Sequence, residues 1–384
     1  MTDSDALTPA ALADRIDAGE AVRLLDVRNR DEFEEWHIDG PGVTATQIPN
    51  SKWIQAEVTD GVADLAAGID GDGPITVVCG RGEASDHVAE LLRDVGIDAR
   101  NLAEGMRGWA RVYQATEIST DPTVLQYRRP ASGCLSYAVV ASGEAAVVDP
   151  LRAFTDRYVS DAAERGADIT TVFDTHVHAD HVSGLRELAD ETGAARLMPR
   201  LSAERGADYD VTTVIDGEEL TVGDATLRFV HLPGHTTGMT AVAVGDVLLS
   251  GDSLFTESVA RPDLQRGDGG AEALAARLHE SLTDRLAEFP DDTLVAPGHY
   301  SDAATAAPDG SHTATLGELR ERLPVFEMDR SEFVARVVRD MPPQPANYER
   351  VVATNLGLEA AADDEAFEME LGPNNCAATP ALDD

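Results

Sequence analysis

Apolar segments alternate with amphipathic segments along roughly the first 115 residues. Segments 22–27 and 75–79 are mostly apolar and have the length of buried strands. Segments 8–18, 31–36 and 85–95 have the residue spacing and the end residues of helices. Strands that alternate with helices predict a parallel sheet with helices on its faces, so this part is expected to be an α/β domain.

The remaining chain begins with a hairpin pattern and continues with further strands and helices. Residues 135–141 and 145–149 predict two strands joined through Ser142-Gly143-Glu144. The other predicted strands lie at 170–175, 226–232, 241–244, 247–250 and 293–296, and the predicted helices at 155–165, 183–192, 270–289 and through most of 312–357.

These patterns predict two domains, at residues 1–115 and 119–384. A chain of 384 residues is long enough to bury a core in each of them. Between the domains, Asp121-Pro122 and Arg129-Pro130 favour extended or turn backbone. The segment has no composition typical of a long flexible linker.

The composition limits the partners and the compartment. Seventy acidic and 30 basic residues give a net charge of −40, which would repel nucleic acid and anionic membranes. Lys52 is the one lysine, and this acidic, lysine-poor composition leads to the hypothesis of a halophilic host. The sequence has no apolar run of membrane-spanning length, no basic secretory leader and only three scattered cysteines. We expect a cytoplasmic protein, and the sequence does not decide between a monomer and a homo-oligomer.

The segment 175–181, Thr-His-Val-His-Ala-Asp-His, concentrates three imidazoles and one carboxylate at the end of a predicted strand. His235, Asp252 and His299 also follow apolar runs, each in a turn that contains Gly. Imidazoles and carboxylates that arrive from several strand ends are typical of an enzymatic metal centre. The sequence therefore predicts a metal site built from these residues.

The set His-x-His-x-Asp-His, His235, Asp252 and His299 resembles the metallo-β-lactamase fold over roughly residues 119–384. That resemblance implies a four-layer αββα sandwich with the metal in a cleft along one edge.

Two arrangements of metal remain open from the residues alone. In the first, one Fe(II) is bound by His176, His235 and Asp252, which leaves positions for O₂ and a substrate. In the second, two Zn(II) ions form hydroxide that hydrolyses esters or thioesters. The first zinc would then be held by His176, His178 and His235 and the second by Asp180, His181 and His299, with Asp252 bridging them.

Three further segments resemble persulfide dioxygenases of this fold: 261–265 (Arg-Pro-Asp-Leu-Gln), His299-Tyr300 and 373–376 (Pro-Asn-Asn-Cys). The resemblance implies the single iron, a small thiol persulfide and O₂ as substrates, and sulfite and thiol as products. His178, Asp180, His181 and His299 would then orient ligands and water. Arg261 and Tyr300 are candidates for substrate contacts, with a structural salt bridge of Arg261 as the alternative. A glyoxalase II-like thioesterase is the rival enzyme class.

Cys79 lies at the end of a predicted strand, directly before a helix and a Gly-Arg-Gly turn. Backbone N–H groups at a helix start would stabilise a thiolate or persulfide there, whereas the alternative is a buried structural cysteine. The pieces 25–28 (Leu-Asp-Val-Arg), 37–40 (His-Ile-Asp-Gly), the Cys79 loop and 102–105 (Leu-Ala-Glu-Gly) resemble a rhodanese domain. The resemblance implies that Cys79 carries sulfane sulfur from a thiosulfate-like donor.

The Cys79 loop departs from the rhodanese pattern, because Ala84 stands where that family has Arg, so Arg81 is the candidate for the positive charge. Rhodanese chemistry makes or consumes persulfides and a persulfide dioxygenase consumes them. Two such domains on one chain would raise the local concentration of a shared intermediate.

Overall fold

The computed structural model describes residues 6–372 apart from residues 70, 266, 267, 302, 340 and 346. The chain forms two compact units, the first made mainly of residues up to Tyr113 and the second mainly of residues from Gln114 onward. The predicted boundaries at 115 and 119 remain predictions.

A parallel sheet with the strand order β2-β1-β3-β4 forms the centre of the first unit. Its core contains Leu25, Trp53, Val77 and Val88, which the sheet and its helices bury between them. The strands are β1 (Val22–Asp26), β2 (Val43–Gln47), β3 (Ile75–Val78) and β4 (Ala99–Asn101), and the helices are α1 (Pro9–Asp17), α2 (Arg30–Glu35), α3 (Asn50–Val58), α4 (Val62–Ala66), α5 (Glu83–Asp94) and α6 (Gly105–Trp109). The predicted α/β arrangement is confirmed.

The first sheet of the second unit has seven strands in the order β11-β10-β9-β8-β7-β6-β5. Its strands are β5 (Gln114–Thr120), β6 (Thr123–Arg129), β7 (Cys134–Ala141), β8 (Glu144–Val148), β9 (Asp168–Phe173), β10 (Ala195–Pro199) and β11 (Thr212–Val214). The segment between the predicted domains thus forms the antiparallel β5–β6 hairpin. Strands β8 to β11 are parallel, so the turns after β8, β9 and β10 meet at one edge.

The second sheet has six strands in the order β12-β13-β14-β15-β16-β17. Its strands are β12 (Glu219–Val222), β13 (Ala225–His231), β14 (Thr240–Val244), β15 (Val247–Gly251), β16 (Leu294–Pro297) and β17 (Ala314–Thr315). Segment 214–222 connects the two sheets, because β11 lies in one and β12 in the other. The parallel pair β15–β16 brings the turns that follow these strands together.

Apolar side chains between the two sheets form the main core, in which the rings of Phe173 and Phe229 lie 4.9 Å apart. Burial of each such ring contributes about 1.5–3 kcal/mol. Helices cover the outer faces: α7 and α8 pack on β9, and a second core that includes Leu248, Leu278 and Phe333 joins the six-stranded sheet to its helices. The four-layer αββα sandwich that the resemblance implied is therefore present.

The helices of the second unit are α7 (Thr155–Glu164), α8 (Leu185–Thr192), α9 (Arg200–Ala203), α10 (Asp268–Glu280), α11 (Leu316–Arg322), α12 (Arg330–Val337), α13 (Tyr348–Asn355) and α14 (Asp363–Met369). The helix predicted from residue 183 begins at Leu185, with Gly184 at the cap position. Ser183 still accepts a hydrogen bond from the Leu185 N–H, but its own hydroxyl donates to Asp174. Within the described part of the chain, no helix combines the length and apolarity that crossing a bilayer requires.

Candidate metal centre and candidate sulfur site

The loop between β9 and α8 carries the histidine motif, and a residue of α13 holds its backbone in place. The Asn355 amide donates to the carbonyls of His178 and His181, at 3.0 and 2.9 Å, and accepts from the Ser183 N–H at 2.8 Å. Asn355 is buried, so these bonds are shielded from water. The loop conformation that aims the histidines is therefore fixed from outside the motif.

His176, His235 and Asp252 converge at the ends of three strands and are buried. Oδ2 of Asp252 lies 3.9 Å from Nε2 of His176 and 3.8 Å from Nε2 of His235, separations that leave room for a cation between them. Nε2 of His176 and Oδ2 of Asp252 have no hydrogen-bond partner among the described residues. Buried polar atoms without partners are costly, and a bound cation would satisfy both.

In each of the two histidines, a neighbouring group fixes Nδ1, the ring nitrogen that does not face Asp252. Nδ1 of His176 lies 2.9 Å from the Thr175 hydroxyl, which itself donates to Asp149, so the imidazole donates to that oxygen. Nδ1 of His235 donates to the Arg261 carbonyl at 2.8 Å. Both histidines thus keep the Nε2 lone pair for a metal. Outer partners of this kind orient metal ligands in many proteins.

The protonation of the three side chains also suits a metal. Burial lowers the pKa of His176 and that of His235, so both imidazoles are neutral at pH 7. Burial would raise the pKa of Asp252, but the neighbouring His299 lowers it below the ordinary value, and the carboxylate stays ionised. Neutral imidazoles and an ionised carboxylate are the forms that bind a metal. These residues therefore fit a divalent cation.

Gly298 makes room for the carboxylate of Asp252. A Cβ atom at residue 298 would lie 2.5 Å from Oδ1 of Asp252, closer than the two atoms could approach. The Gly of the Ala-Pro-Gly-His turn is thus required by the position of the Asp252 carboxylate, which follows the neighbouring strand.

A second cluster lies beside the first and consists of Cys134, Asp180, His181 and His299. Oδ2 of Asp180 lies 3.1 Å from Nδ1 of His181, 2.9 Å from Nε2 of His299 and 3.3 Å from Sγ of Cys134. Although burial opposes both charges, the two histidines hold the pKa of Asp180 well below its usual range, and Asp180 raises the pKa of His181 well above its own. Oδ2 of Asp180 is thus hydrogen-bonded to the other three residues of this cluster, whereas Nε2 of His181 has no hydrogen-bond partner among the described residues.

His178 lies in a third group, with Asp149 and Asp174. Its Nε2 lies 3.0 Å from Oδ1 of Asp149, and its Nδ1 has no partner within the described part of the chain. Asp149 also accepts from the N–H and the hydroxyl of Thr175. Asp149 therefore orients both His178 and, through Thr175, His176.

The two proposed substrate-contact residues are placed differently. Arg261 is 1% exposed; its guanidinium donates to both carboxylate oxygens of Asp263 and to the Pro343 carbonyl, which matches the structural alternative. Tyr300 is partly buried, and its ring stacks on His312 with centroids 3.6 Å apart. A substrate contact of either residue remains a prediction. The segment 373–376, including Cys376, lies outside the described residues.

Cys79 directly follows β3, and groups from the next helix surround its sulfur. The Gly82 N–H donates to Sγ at 3.1 Å, and the Ser85 hydroxyl lies 3.1 Å from the same atom. Gly82 adopts a positive φ of 101° at the start of α5, a conformation that glycine adopts without steric cost. The Ser85 hydroxyl also lies 2.7 Å from Oδ1 of Asn101 on β4, whereas Arg81 is exposed.

Comparison with known protein families connects both sites to known folds. Residues 8–112 match the rhodanese-like domain, and residues 129–299 match the metallo-beta-lactamase superfamily. The chain joins a rhodanese-like domain to a metallo-beta-lactamase domain. Cys79 lies in the rhodanese-like domain, and the three histidine clusters lie in the metallo-beta-lactamase domain.

Relatives of the metallo-beta-lactamase domain include two enzyme classes. The human mitochondrial persulfide dioxygenase ETHE1 is 28% identical over 220 residues, which cover 56% of this chain and 79% of the relative. Hydroxyacylglutathione hydrolase from Brucella ovis is 29% identical over 224 residues, 55% of this chain and 82% of the relative. The crystal structure of ETHE1 from Myxococcus xanthus matches with a TM-score of 0.53 and 29% identity, covering 61% of this chain and 98% of that one.

Four residues around the two sites were not among the candidates predicted from the sequence. Cys134 and Asp149 stand at the two ends of a predicted hairpin, and Asn355 lies more than 170 residues from the loop that it holds. Asn101 is one residue of a short strand that the sequence pattern did not predict. Asp149 could have been found as a carboxylate at a strand end beside the motif strand, but the other three depend on tertiary contacts.

Proposed function

We propose that the metallo-beta-lactamase domain oxidises a small thiol persulfide with O₂ at a single iron(II), and that Cys79 of the rhodanese-like domain exchanges sulfane sulfur with a donor such as thiosulfate. One observation carries the choice of a single metal. Nε2 of His176 and Oδ2 of Asp252 have no hydrogen-bond partner among the described residues, whereas Nε2 of His299 and Oδ2 of Asp180 are bound to each other. In that second cluster Nε2 of His181 alone is without a partner among the described histidine nitrogens. The persulfide dioxygenases among the relatives support the same choice.

The proposed reaction balances without a further oxidant. One thiol persulfide, one O₂ and one water give one thiol, one sulfite and two protons. Iron(II) held by two imidazoles and one carboxylate would supply open positions for O₂ and for a sulfur ligand. The protein would hold the three ligands in their binding forms. Asp149 acting through Thr175, the Arg261 carbonyl and His299 fix the directions of His176, His235 and Asp252 in that order.

The proposed reaction at Cys79 is a sulfur transfer in two steps. The thiolate attacks the outer sulfur of thiosulfate, the S–S bond of the donor breaks, and sulfite leaves with the electron pair. A small thiolate then takes the outer sulfur from the Cys79 persulfide and restores the Cys79 thiolate. The N–H of Gly82 and the hydroxyl of Ser85 are placed to bind the negative sulfur in both states.

A binuclear zinc thioesterase is the second candidate, and His178 favours it. Asp149 binds Nε2 of His178, so the Nδ1 lone pair remains for a metal, as a three-histidine zinc site requires. Hydroxyacylglutathione hydrolases among the relatives point the same way. Metal analysis separates the two candidates, because one iron supports oxygenation and two zinc ions support hydrolysis.

Two substitutions test the proposed division of labour. Cys79→Ala should abolish sulfur transfer from thiosulfate and preserve oxygen uptake with a preformed thiol persulfide. Asp252→Ala should abolish oxygen uptake and preserve sulfur transfer. Asp246→Ala, at an exposed aspartate in the β14–β15 turn, is the matched control and should preserve both. Loss of oxygen uptake with preformed persulfide in Cys79→Ala would contradict the proposal.

A further inference from the structure

Cys134 lies inside the second cluster, although it belongs to none of the sequence motifs. It is the first residue of β7 and is 1% exposed. Its backbone forms a β-bridge with His299, and the next N–H, of Leu135, donates to the Gly298 carbonyl. The fold therefore fixes the sulfur beside the strand end that supplies His299.

The thiol of Cys134 begins a chain of hydrogen bonds that ends at a predicted metal ligand. Sγ of Cys134 donates to Oδ2 of Asp180 at 3.3 Å, and the same oxygen accepts from Nε2 of His299 at 2.9 Å. The other nitrogen of His299 donates to Oδ1 of Asp252 at 2.6 Å, and Oδ2 of Asp252 faces the metal ligands His176 and His235. Each side chain in this series of hydrogen bonds is nearly inaccessible to water.

A second observation points to the same sulfur. The potential ligand atoms of Cys134, Asp180, His181 and His299 all lie within 4.8 Å of each other. His181 is 1% exposed, and its Nε2 finds no hydrogen-bond partner in the part of the chain that the structure describes. Three buried polar side chains thus lie next to the sulfur, whereas a structural cysteine usually packs as a small apolar residue.

We propose that Cys134 is a positioning residue of the metal centre. Its thiol keeps the Asp180 carboxylate turned toward His299, and His299 in turn holds Asp252 in the orientation that presents Oδ2 to the metal. A carboxylate rotates readily about its last side-chain torsion. Without the Cys134 thiol, Oδ2 of Asp180 would lose one of its hydrogen-bond donors, and the carboxylate would be less well oriented. The inference rests on the proposed ligand set His176, His235 and Asp252, but not on the reaction that the metal supports.

Cobalt(II) is the probe for the test, because its visible spectrum reports the ligand field whatever reaction the native metal performs. Cys134→Ser keeps a donor, Cys134→Ala removes it, and Cys134→Val removes it while filling the volume. We expect the Ser variant to retain the wild-type cobalt spectrum and a dissociation constant within about threefold of wild type. The Ala and Val variants should show shifted visible bands and affinity lower by about 10-fold or more, as for other lost outer partners of metal ligands. Thr221→Ala, at an exposed residue of β12, is the control and should match wild type.

Two results would overturn the proposal. The first is wild-type cobalt affinity and spectrum in both Cys134→Ala and Cys134→Val, which would reduce Cys134 to packing. The second is a sulfur-to-cobalt charge-transfer band in wild type that Cys134→Ser loses, because the thiolate would then be a ligand itself. The expected cobalt shifts in a protein that consumes no oxygen with iron would support the role of Cys134 and refute the proposed reaction.

Discussion

Nδ1 of His299 lies 2.6 Å from Oδ1 of Asp252, and Nε2 of the same ring lies 2.9 Å from Oδ2 of Asp180. Ionised carboxylates only accept hydrogen bonds, so both nitrogens of His299 donate. In this arrangement His299 orients the proposed ligand Asp252 and has no lone pair of its own for a metal. The proposed single-metal site therefore does not use His299 as a ligand.

Removal of the His299 ring should loosen the metal. In His299→Ala, Asp252 loses the donor that fixes Oδ1, and we expect metal affinity to fall by about 10- to 100-fold. Equilibrium dialysis against iron(II) or cobalt(II) measures the change. His87→Ala is the control, since that histidine is exposed and pairs with Glu57 in the other unit. Unchanged affinity in His299→Ala would show that Asp252 is positioned without it.

The Ser85 hydroxyl should contribute to sulfur transfer at Cys79. It lies 3.1 Å from Sγ, and a hydrogen bond to a charged group is worth about 1.5–3 kcal/mol. Ser85→Ala should therefore slow sulfur transfer from thiosulfate by about tenfold or more, and should slow alkylation of Cys79 at neutral pH. Ser51→Ala, at an exposed serine of α3, is the control. Equal rates in wild type and Ser85→Ala would exclude the role.

Asp174 should make the metal-free protein less stable as the pH rises. Burial raises its pKa to about 6 from the ordinary 3.8. Between these values the folded state holds a proton that the unfolded chain has lost, so the free energy of unfolding falls by about 3 kcal/mol as the pH rises from about 4 to above 6. Asp174→Asn cannot ionise and still accepts from Ser183.

Calorimetry of the metal-free protein measures this effect. Asp174→Asn should unfold several degrees above wild type at pH 7, and the difference should shrink toward pH 4. A variant that is destabilised equally at both pH values would show that the carboxylate is needed for packing and carries no ionisation cost.

The net charge of −40 predicts a dependence of stability on salt. In dilute buffer of about 0.01 M ionic strength the acidic side chains repel each other over about 30 Å, and molar salt shortens that range to about 3 Å. The melting temperature should rise by several degrees between dilute buffer and molar KCl if the halophilic hypothesis holds. A melting temperature that does not change with KCl concentration would contradict it.

The motif residues could be predicted because each follows an apolar strand, and parallel strands deliver their ends to one edge. His176, His235 and Asp252 were found in this way, and the structure brings them together. Strands β2 and β4 and helices α3 and α4 were not predicted. The Val-Thr-Ala-Thr-Gln of β2 contains only two apolar residues, one of them the small Ala45, and β4 is only three residues long.

The contacts that orient the site could not be predicted, because they join distant segments. Asn355 reaches the motif loop from α13, and Cys134 meets Asp180 only because β7 is bridged to the end of β16. The role of Arg261 shows the same limit. Its position after Asp252 suggested a substrate contact or a salt bridge, and only the structure shows its Nε and Nη2 donating to the two carboxylate oxygens of Asp263.

An oxygen-electrode assay on anaerobically purified protein of known metal content tests the central claim most directly. The account predicts one iron per chain, oxygen consumption on addition of a small thiol persulfide, and one sulfite formed per O₂ consumed. Two zinc ions per chain in the active protein, with thioester cleavage and no oxygen consumption, would contradict it.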